Sequence, residues 1–470
     1  MITFLLSIVA LVVGYLIYSK VVEKAFGAND DIQTPAVRLE DGVDFVAMPG
    51  WKIFLIQFLN IAGTGPIFGA IAGALWGPVA FLWIVFGSIF AGGVHDYLSG
   101  MFSAREDGAS IPEVVGKYLG NGFRQFMRYF SLIVLVLVGV VFTTSPAGLL
   151  ANLTAEHLDV AFWTYIIFAY YVVATVVPID KLIGKIYPIF GLALLVMAIG
   201  VAGGILFGDY EIPELTLKNL HPKDLPVWPL MFVSIACGAI SGFHSTQSPL
   251  MARCITSEKQ GRRVFYGAMI AEGVIALVWA AAAMTFYGGT EGLGQAGPAA
   301  VVVSDVSRTL LGTIGGIFAI LGVVVCPISS GDTAFRSARL TIADAFGFKQ
   351  GPIKNRFVIA IPMFVIAFVL TRIDFNIIWR YFAWSNQTLA MLVLWAGAMF
   401  FALRGVFHWI ATIPATFMTA VSITYILIAP EGLKLSTKIG YPIGIAAAFG
   451  ALTVFLVVAN KRVKNGERVA

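Results

Sequence analysis

Polar and helix-breaking residues interrupt two otherwise apolar stretches of the chain. The first holds Asn60, Gly63, Thr64, Gly65 and Pro66; the second runs from Gly238 to Pro249 and holds Gly238, Ser241, Gly242, His244, Ser245, Thr246, Gln247, Ser248 and Pro249. In lipid such a break frees backbone amides and carbonyls, so it survives only where protein or a wet cavity satisfies them. Paired broken helices mark a transporter's binding site. In the first stretch Gly63 and Gly65 each cost a helix about 1 kcal/mol relative to Ala, and Pro66 lacks an amide. The helix is predicted to open around Thr64, and a half-helix to begin near Pro66. Its unpaired amides and positive dipole end suit a carboxylate, which makes Asn60, Gly63, Thr64 and Gly65 substrate-binding candidates. A simple kink, or close helix packing through small residues, is the competing reading.

The second stretch is richer in donors and acceptors, and Pro249 is predicted to end its hydrogen-bonding continuity. Ser241, Gly242, His244, Ser245, Thr246 and Gln247 are candidates for substrate or ion contact, because such groups inside a membrane are expensive and functional. A helix end wetted at the interface is the alternative. His95 beside Asp96 could relay a proton, yet neighbours on a helix do not face each other, so packing or capping competes. Ser385, Asn386 and Gln387 could gate a cavity or bond neighbouring helices.

Other chemistries find no support. There is no HExxH, GxSxG or Walker A sequence, and the five histidines (His95, His157, His221, His244, His408) are dispersed. The expectation is a non-enzyme without catalytic residues or cofactor. Cys237, Cys254 and Cys326 have no metal-site spacing and read as free thiols.

These residues need helices to carry them. With 59% hydrophobic residues, 12% charged residues and a mean hydropathy of +0.87, the chain has too little polar surface to cover a soluble globule. Its net charge of +5 comes in short clusters between apolar runs, which points to lipid headgroups and topology rather than nucleic acid. Windows of about 20 apolar residues predict an all-α polytopic membrane protein. About thirteen spans fall near 2–19, 51–75, 77–99, 126–150, 161–178, 187–207, 228–247, 264–287, 309–328, 356–370, 377–401, 405–428 and 440–460. The first reads as a retained helix, since its basic residues, Lys20 and Lys24, follow the apolar run rather than precede it.

Basic residues cluster in the segment Arg105 to Arg128, at Arg253, Lys259, Arg262 and Arg263, at Arg336, Arg339, Lys349, Lys354 and Arg356, and in the tail at Lys461, Arg462, Lys464 and Arg468. These alternate connections are predicted to be cytoplasmic, which puts the amino terminus outside and the carboxyl terminus inside a cytoplasmic (inner) membrane. Without the first helix and the last two, ten remain, and each broken helix opens a group of five. Because five is odd, the groups must be oppositely oriented, as in the 5+5 inverted repeat of LeuT-like transporters. The expected organisation is 1–50 (first helix and linker), 51–208 (repeat 1), 209–227 (external loop), 228–402 (repeat 2) and 403–470 (two helices and a basic tail).

In LeuT-like folds the eighth core helix offers adjacent hydroxyls to sodium. By count this helix closes, on the cytoplasmic side, with Cys326-Pro327-Ile328-Ser329-Ser330-Gly331-Asp332-Thr333. Ser329, Ser330, Asp332 and Thr333 are therefore ion-coupling candidates, with sodium at Ser329 and Ser330 the sole metal expected. Asp332 could instead carry a proton or cap the helix.

At Gln57-Phe58-Leu59-Asn60-Ile61-Ala62-Gly63-Thr64-Gly65-Pro66, Gly92-Gly93-Val94-His95-Asp96-Tyr97, Gly242-Phe243-His244-Ser245-Thr246-Gln247-Ser248-Pro249 and Trp384-Ser385-Asn386-Gln387 the chain resembles the carbon starvation protein A (CstA) family. The likeness runs from about Val12 into the helix after Asn386, and the region after Pro430 is compact, as in a short form. The resemblance implies a membrane protein induced in carbon limitation and linked to peptide uptake or proton-coupled pyruvate import. The expectation is a secondary importer of a small peptide or carboxylate coupled to H+ or Na+, with a nutrient receptor or channel as the alternative.

Overall fold

Lipid offers no partner to a backbone amide or carbonyl, so long apolar runs must fold as helices that satisfy their own backbone. The structure, a computed structural model, describes residues 1–42, 44–154, 157–176 and 179–469, and all regular secondary structure among them is helical. The principal helices are α1 (Ile2–Phe26), α2 (Gly50–Ile61), α3 (Gly65–Gly73), α4 (Val79–Arg105), α5 (Ile111–Leu119), α6 (Asn121–Leu153), α7 (Val160–Ala174) and α8 (Ile179–Phe207). They continue as α9 (Gly242–Ala252), α10 (Arg262–Phe286), α11 (Ala299–Ile320), α12 (Cys326–Phe346), α13 (Ile353–Leu370), α14 (Phe375–Arg404), α15 (Trp409–Ile428) and α16 (Thr437–Lys464).

Among the described residues nine helices are long and apolar enough to cross a membrane, and α2 with α3, bent by 49°, make a tenth span. The other three expected spans fall on α7, on the broken stretch 227–252, and on the junction of α11 with α12. Residues 177 and 178, at the end of the expected span 161–178, lie outside the described residues. Burial separates inner helices from outer ones: 94% of the apolar window of α14 is buried and 83% in α4 and α10, against 22% in α1 and α16. The outer faces carry exposed apolar side chains such as Ile17, Ile199 and Val454, as a lipid-facing belt requires.

The first break forms where the glycines and proline predict it. α2 stops at Ile61, and α3 starts at Gly65 with Pro66 in its first turn, where a missing amide costs nothing. The second break meets the expected interruption, Gly238 to Pro249, only in its first four residues. The chain is unwound over Ile235–Ser241, with Gly238 at φ +94°, and α9 is helical from Gly242 through Pro249 to Ala252. The hydroxyls that suggested an open segment bond back to their own helix instead: Ser245 to the Gly242 carbonyl, Thr246 to that of Phe243 and Ser248 to that of His244. Such back-bonding lets polar residues sit in an apolar helix.

Two further expectations are corrected. Ser329 to Thr333 do not close a span, because α12 stays helical to Phe346 and ends at Gly347 in the left-handed conformation. Asp332 therefore caps nothing, and Arg336 and Arg339 are buried inside the helix rather than set in a loop. His95 and Asp96 likewise lie within α4, which runs on to Arg105.

Three of the four basic clusters lie beside one another, and the Arg336–Arg356 cluster begins inside α12. Arg105 clasps Glu258 through two hydrogen bonds of 2.9 and 3.0 Å, Arg253 donates to the Gly108 carbonyl at 2.8 Å, and Arg462 reaches the Tyr118 carbonyl at 2.5 Å. A separate set of contacts joins the Met1 amine to Glu214, the Trp76 indole to the Leu225 carbonyl and Thr290 to the Leu220 carbonyl. Glu214 accepts from the amine, the Thr3 hydroxyl and backbone amides, which hold its carboxyl down at about 2.

Candidate functional site

The two breaks meet. A Cβ on Gly65 would lie 2.5 Å from Cys237 Sγ, and one on Gly69 would lie 2.9 Å from the Ser234 carbonyl oxygen. Only residues without side chains let α3 approach the unwound stretch this closely. Around the first break the polar groups are buried and unanswered: both amide atoms of Gln57 and of Asn60, and the Thr64 hydroxyl, make no hydrogen bond. A buried polar group left so costs about 1–3 kcal/mol.

The Asn386 side chain stitches the second break to α14. Its Nδ2 donates to Ser241 Oγ at 2.8 Å, and its Oδ1 accepts the Phe243 amide at 2.5 Å. Gln387 donates to the Phe232 carbonyl at 3.1 Å, on the other side of the unwound stretch. Ser385 bonds only its own helix, at the carbonyls of Tyr381 and Phe382. Gln247 donates to Thr246 at 2.9 Å and to Ser337 of α12 at 3.4 Å.

His244 lies between two carboxylates. Its Nδ1 is 2.9 Å from Asp96 Oδ2, and its Nε2 is 3.3 Å from Glu272 Oε2. Asp96 Oδ1 also takes His95 Nδ1 at 2.7 Å, so these neighbours in sequence do bond despite their divergent positions on α4. All four side chains are fully buried. With both ring nitrogens directed at protein carboxylates, His244 is held in place rather than left open to a ligand's carboxylate.

The predicted ion-coupling residues approach the first break from α12. Ser330 Oγ donates to the Leu59 carbonyl at 3.1 Å, and a Cβ on Gly63 would lie 3.3 Å from Ser330 Oγ. Ser329 Oγ turns back to the Cys326 carbonyl at 2.7 Å, and Thr333 to that of Ser330 at 3.0 Å. Asp332 accepts from the Tyr187 hydroxyl at 3.1 Å and lies 3.9 Å from the Arg336 guanidinium, one turn along. Tyr187 also reaches the Ser329 carbonyl at 3.3 Å.

The predicted residues thus form two clusters flanking the paired breaks. Gln57, Tyr187, Cys237 and Glu272 belong to them and were missed. Glu272 carried a readable signal, as the sole charged residue of Gly267–Phe286, since an acid inside a span is a functional candidate by default. Gln57 and Tyr187 carried none beyond their polarity. Burial pushes the Cys254 thiol, in the connection between α9 and α10, up to about 12, so it is an inert free thiol; all three cysteines are unpaired.

A family model described as "Carbon starvation protein CstA" matches residues 1–162 and 151–306. An uncharacterized membrane protein of Haemophilus influenzae is 45% identical over 63% of this chain and 94% of its own length. The peptide transporter CstA of Bacillus subtilis is 26% identical over 83% of each chain. The pyruvate/proton symporter BtsT of Escherichia coli is 24% identical over 58% of this chain and 47% of its own. Among solved structures, MhsT in complex with L-phenylalanine superposes with a TM-score of 0.55 at 15% identity, covering 88% of this chain and 98% of that one. Mhp1, a nucleobase-cation-symport-1 family transporter, gives 0.55 at 13% identity over 88% and 92%. The fold is thus the LeuT-like one of these transporters.

Proposed function

Because this chain belongs to the carbon starvation protein CstA family, whose named relatives are secondary transporters, we propose that it imports a small organic substrate, a peptide or pyruvate-like carboxylate, by alternating access coupled to H+ or Na+. The observation that supports this most is the contact of two broken helices beside the unanswered polar groups of Gln57, Asn60 and Thr64. A substrate bound there would satisfy groups that the protein alone leaves unpaired. The N-terminus of α3 would face its carboxylate, with Asn60, Gly63, Thr64 and Gly65 on one side and Ser241 and Gly242 on the other. Asn386 and Gln387, which tie both sides of the second break to α14, are suited to act as a gate.

Coupling is assigned to Ser329, Ser330, Asp332 and Thr333. Ser330 touches the carbonyl end of α2, so a cation there would sense the first break directly. In this reading residues 51–208 and 228–402 are the inverted repeats, and the basic connections face the cytoplasm, which leaves the amino terminus outside.

Thermal unfolding of the purified protein in detergent tests substrate and cation together. Pyruvate and short peptides are compared in sodium and in choline medium at several pH values. A true substrate at a hundredfold excess over its Kd is expected to stabilise by about 2.7 kcal/mol. If sodium also stabilises, alanine at both Ser329 and Ser330 removes that response. Should no carboxylate or peptide shift the transition in any medium, the substrate class is wrong.

A further inference from the structure

We propose that Cys237, His244 and Glu272 form a binding site for a divalent transition-metal ion of the zinc type. The thiol sulfur, an imidazole nitrogen and a carboxylate oxygen lie within 4.8 Å of one another, and all three side chains are buried. The separation of His244 Nε2 from Glu272 Oε2, 3.3 Å, is the edge of a tetrahedron whose bonds are about 2.0–2.1 Å long, the usual zinc–nitrogen and zinc–oxygen lengths. Cys237 Sγ completes a three-ligand face by moving inward from a segment outside the regular helices, where a single backbone bond, Ile240 to the Ala236 carbonyl at 3.0 Å, spans it.

Hydrogen bonding supports the assignment independently. With Asp96 ionised, Nδ1 of His244 carries the proton and donates to it at 2.9 Å. The lone pair of a neutral ring is then on Nε2, aimed at a carboxylate. Neither Nε2 nor either oxygen of Glu272 makes a hydrogen bond. Two acceptors face each other in a dry site, which requires either a proton or a metal ion between them. A carboxylate behind the distal ring nitrogen is the arrangement that orients metal-binding histidines. The thiol separates a metal from a proton, because a proton shared by nitrogen and oxygen gains nothing from a sulfur facing both. Thiolate and carboxylate together neutralise a divalent charge, and sulfur with imidazole selects the zinc class over sodium or magnesium. Ser241 Oγ and Asn386 Nδ2 each lie 3.4 Å from Cys237 Sγ, so Ser241 is the nearest hydroxyl for a fourth position and both groups support a thiolate.

No linear motif announces such a site. Cys237 and His244 come from either side of the transition from unwound chain to α9, and Glu272 comes from α10. A bound ion would tie the second break to α10. The proposal does not depend on the transported substrate.

The test uses the full-length wild-type protein purified in detergent without chelator. Elemental analysis is expected to find about one zinc per chain, and cobalt added after metal removal is expected to give a thiolate-to-cobalt charge-transfer band. Cys237→Ser abolishes the band, Cys326→Ser keeps it, and Asp96→Asn weakens cobalt affinity about 10–100-fold, the usual effect of losing such a support. Absence of both zinc and the cobalt band from folded wild-type protein overturns the proposal. So does a band that survives Cys237→Ser.

Discussion

Asp332→Asn is expected to lower gradient-driven uptake by at least about tenfold, or about 1.4 kcal/mol of lost driving interaction, while substrate exchange between loaded vesicles and medium continues. Asp332 is buried, accepts from Tyr187 at 3.1 Å and lies 3.9 Å from Arg336. Asparagine keeps an acceptor for Tyr187 but can neither take up a proton nor neutralise a cation. Exchange needs only the substrate-loaded carrier to change sides, whereas net uptake needs cation release on each cycle. The two assays, run on the same folded preparation, therefore separate coupling from structure. Uptake at the wild-type level would make Asp332 a brace for Tyr187 and Arg336 and remove it from the coupling path.

Asn60→Ala is expected to weaken substrate affinity strongly. Its amide is fully buried and makes no hydrogen bond at the end of α2. A hydrogen bond to a charged group contributes about 1.5–3 kcal/mol, which corresponds to a loss of roughly 10- to 150-fold in affinity. Thr64→Val, nearly the same shape, probes the neighbouring hydroxyl without opening a cavity. Equilibrium binding of radiolabelled substrate measures both variants, and size-exclusion profiles confirm that they remain folded. Wild-type affinity in both would move the substrate site away from the first break.

Much of the architecture was legible because lipid leaves a chain so few choices. Gly63, Gly65 and Pro66 located the first break, where local backbone preference and tertiary role agree. Of the four basic clusters, three are brought together through Arg105, Arg253 and Arg462, whereas Arg336 and Arg339 sit within α12. The second break was displaced, since polarity at Ser245, Thr246 and Ser248 does not unwind a helix whose own carbonyls accept the hydroxyls. The unwound residues are Ile235–Ser241, so the expected interruption from Gly238 to Pro249 is met only at Gly238–Ser241, and the apolar run Ile235–Cys237 gave no sign of it. Ser329 to Asp332 were placed at a helix end because the following arginines looked like a loop, yet buried Arg336 donates to the Ala174 carbonyl at 3.1 Å and stays within α12. The cluster around His244 was half visible. Histidine and aspartate could be read as polar intruders, but their convergence with Glu272 and Cys237 joins α4, the unwound segment, α9 and α10, which no local pattern encodes.

Coupled import around the paired breaks is tested most directly by uptake into proteoliposomes holding the wild-type protein. Proton and sodium gradients are imposed separately, with labelled pyruvate and short peptides supplied outside. The account predicts that one gradient drives one of these substrates to an internal concentration above the external one, and that an ionophore collapsing the gradient releases the excess. Binding without entry, or entry that stops at equal concentrations whatever gradient is imposed, would contradict it.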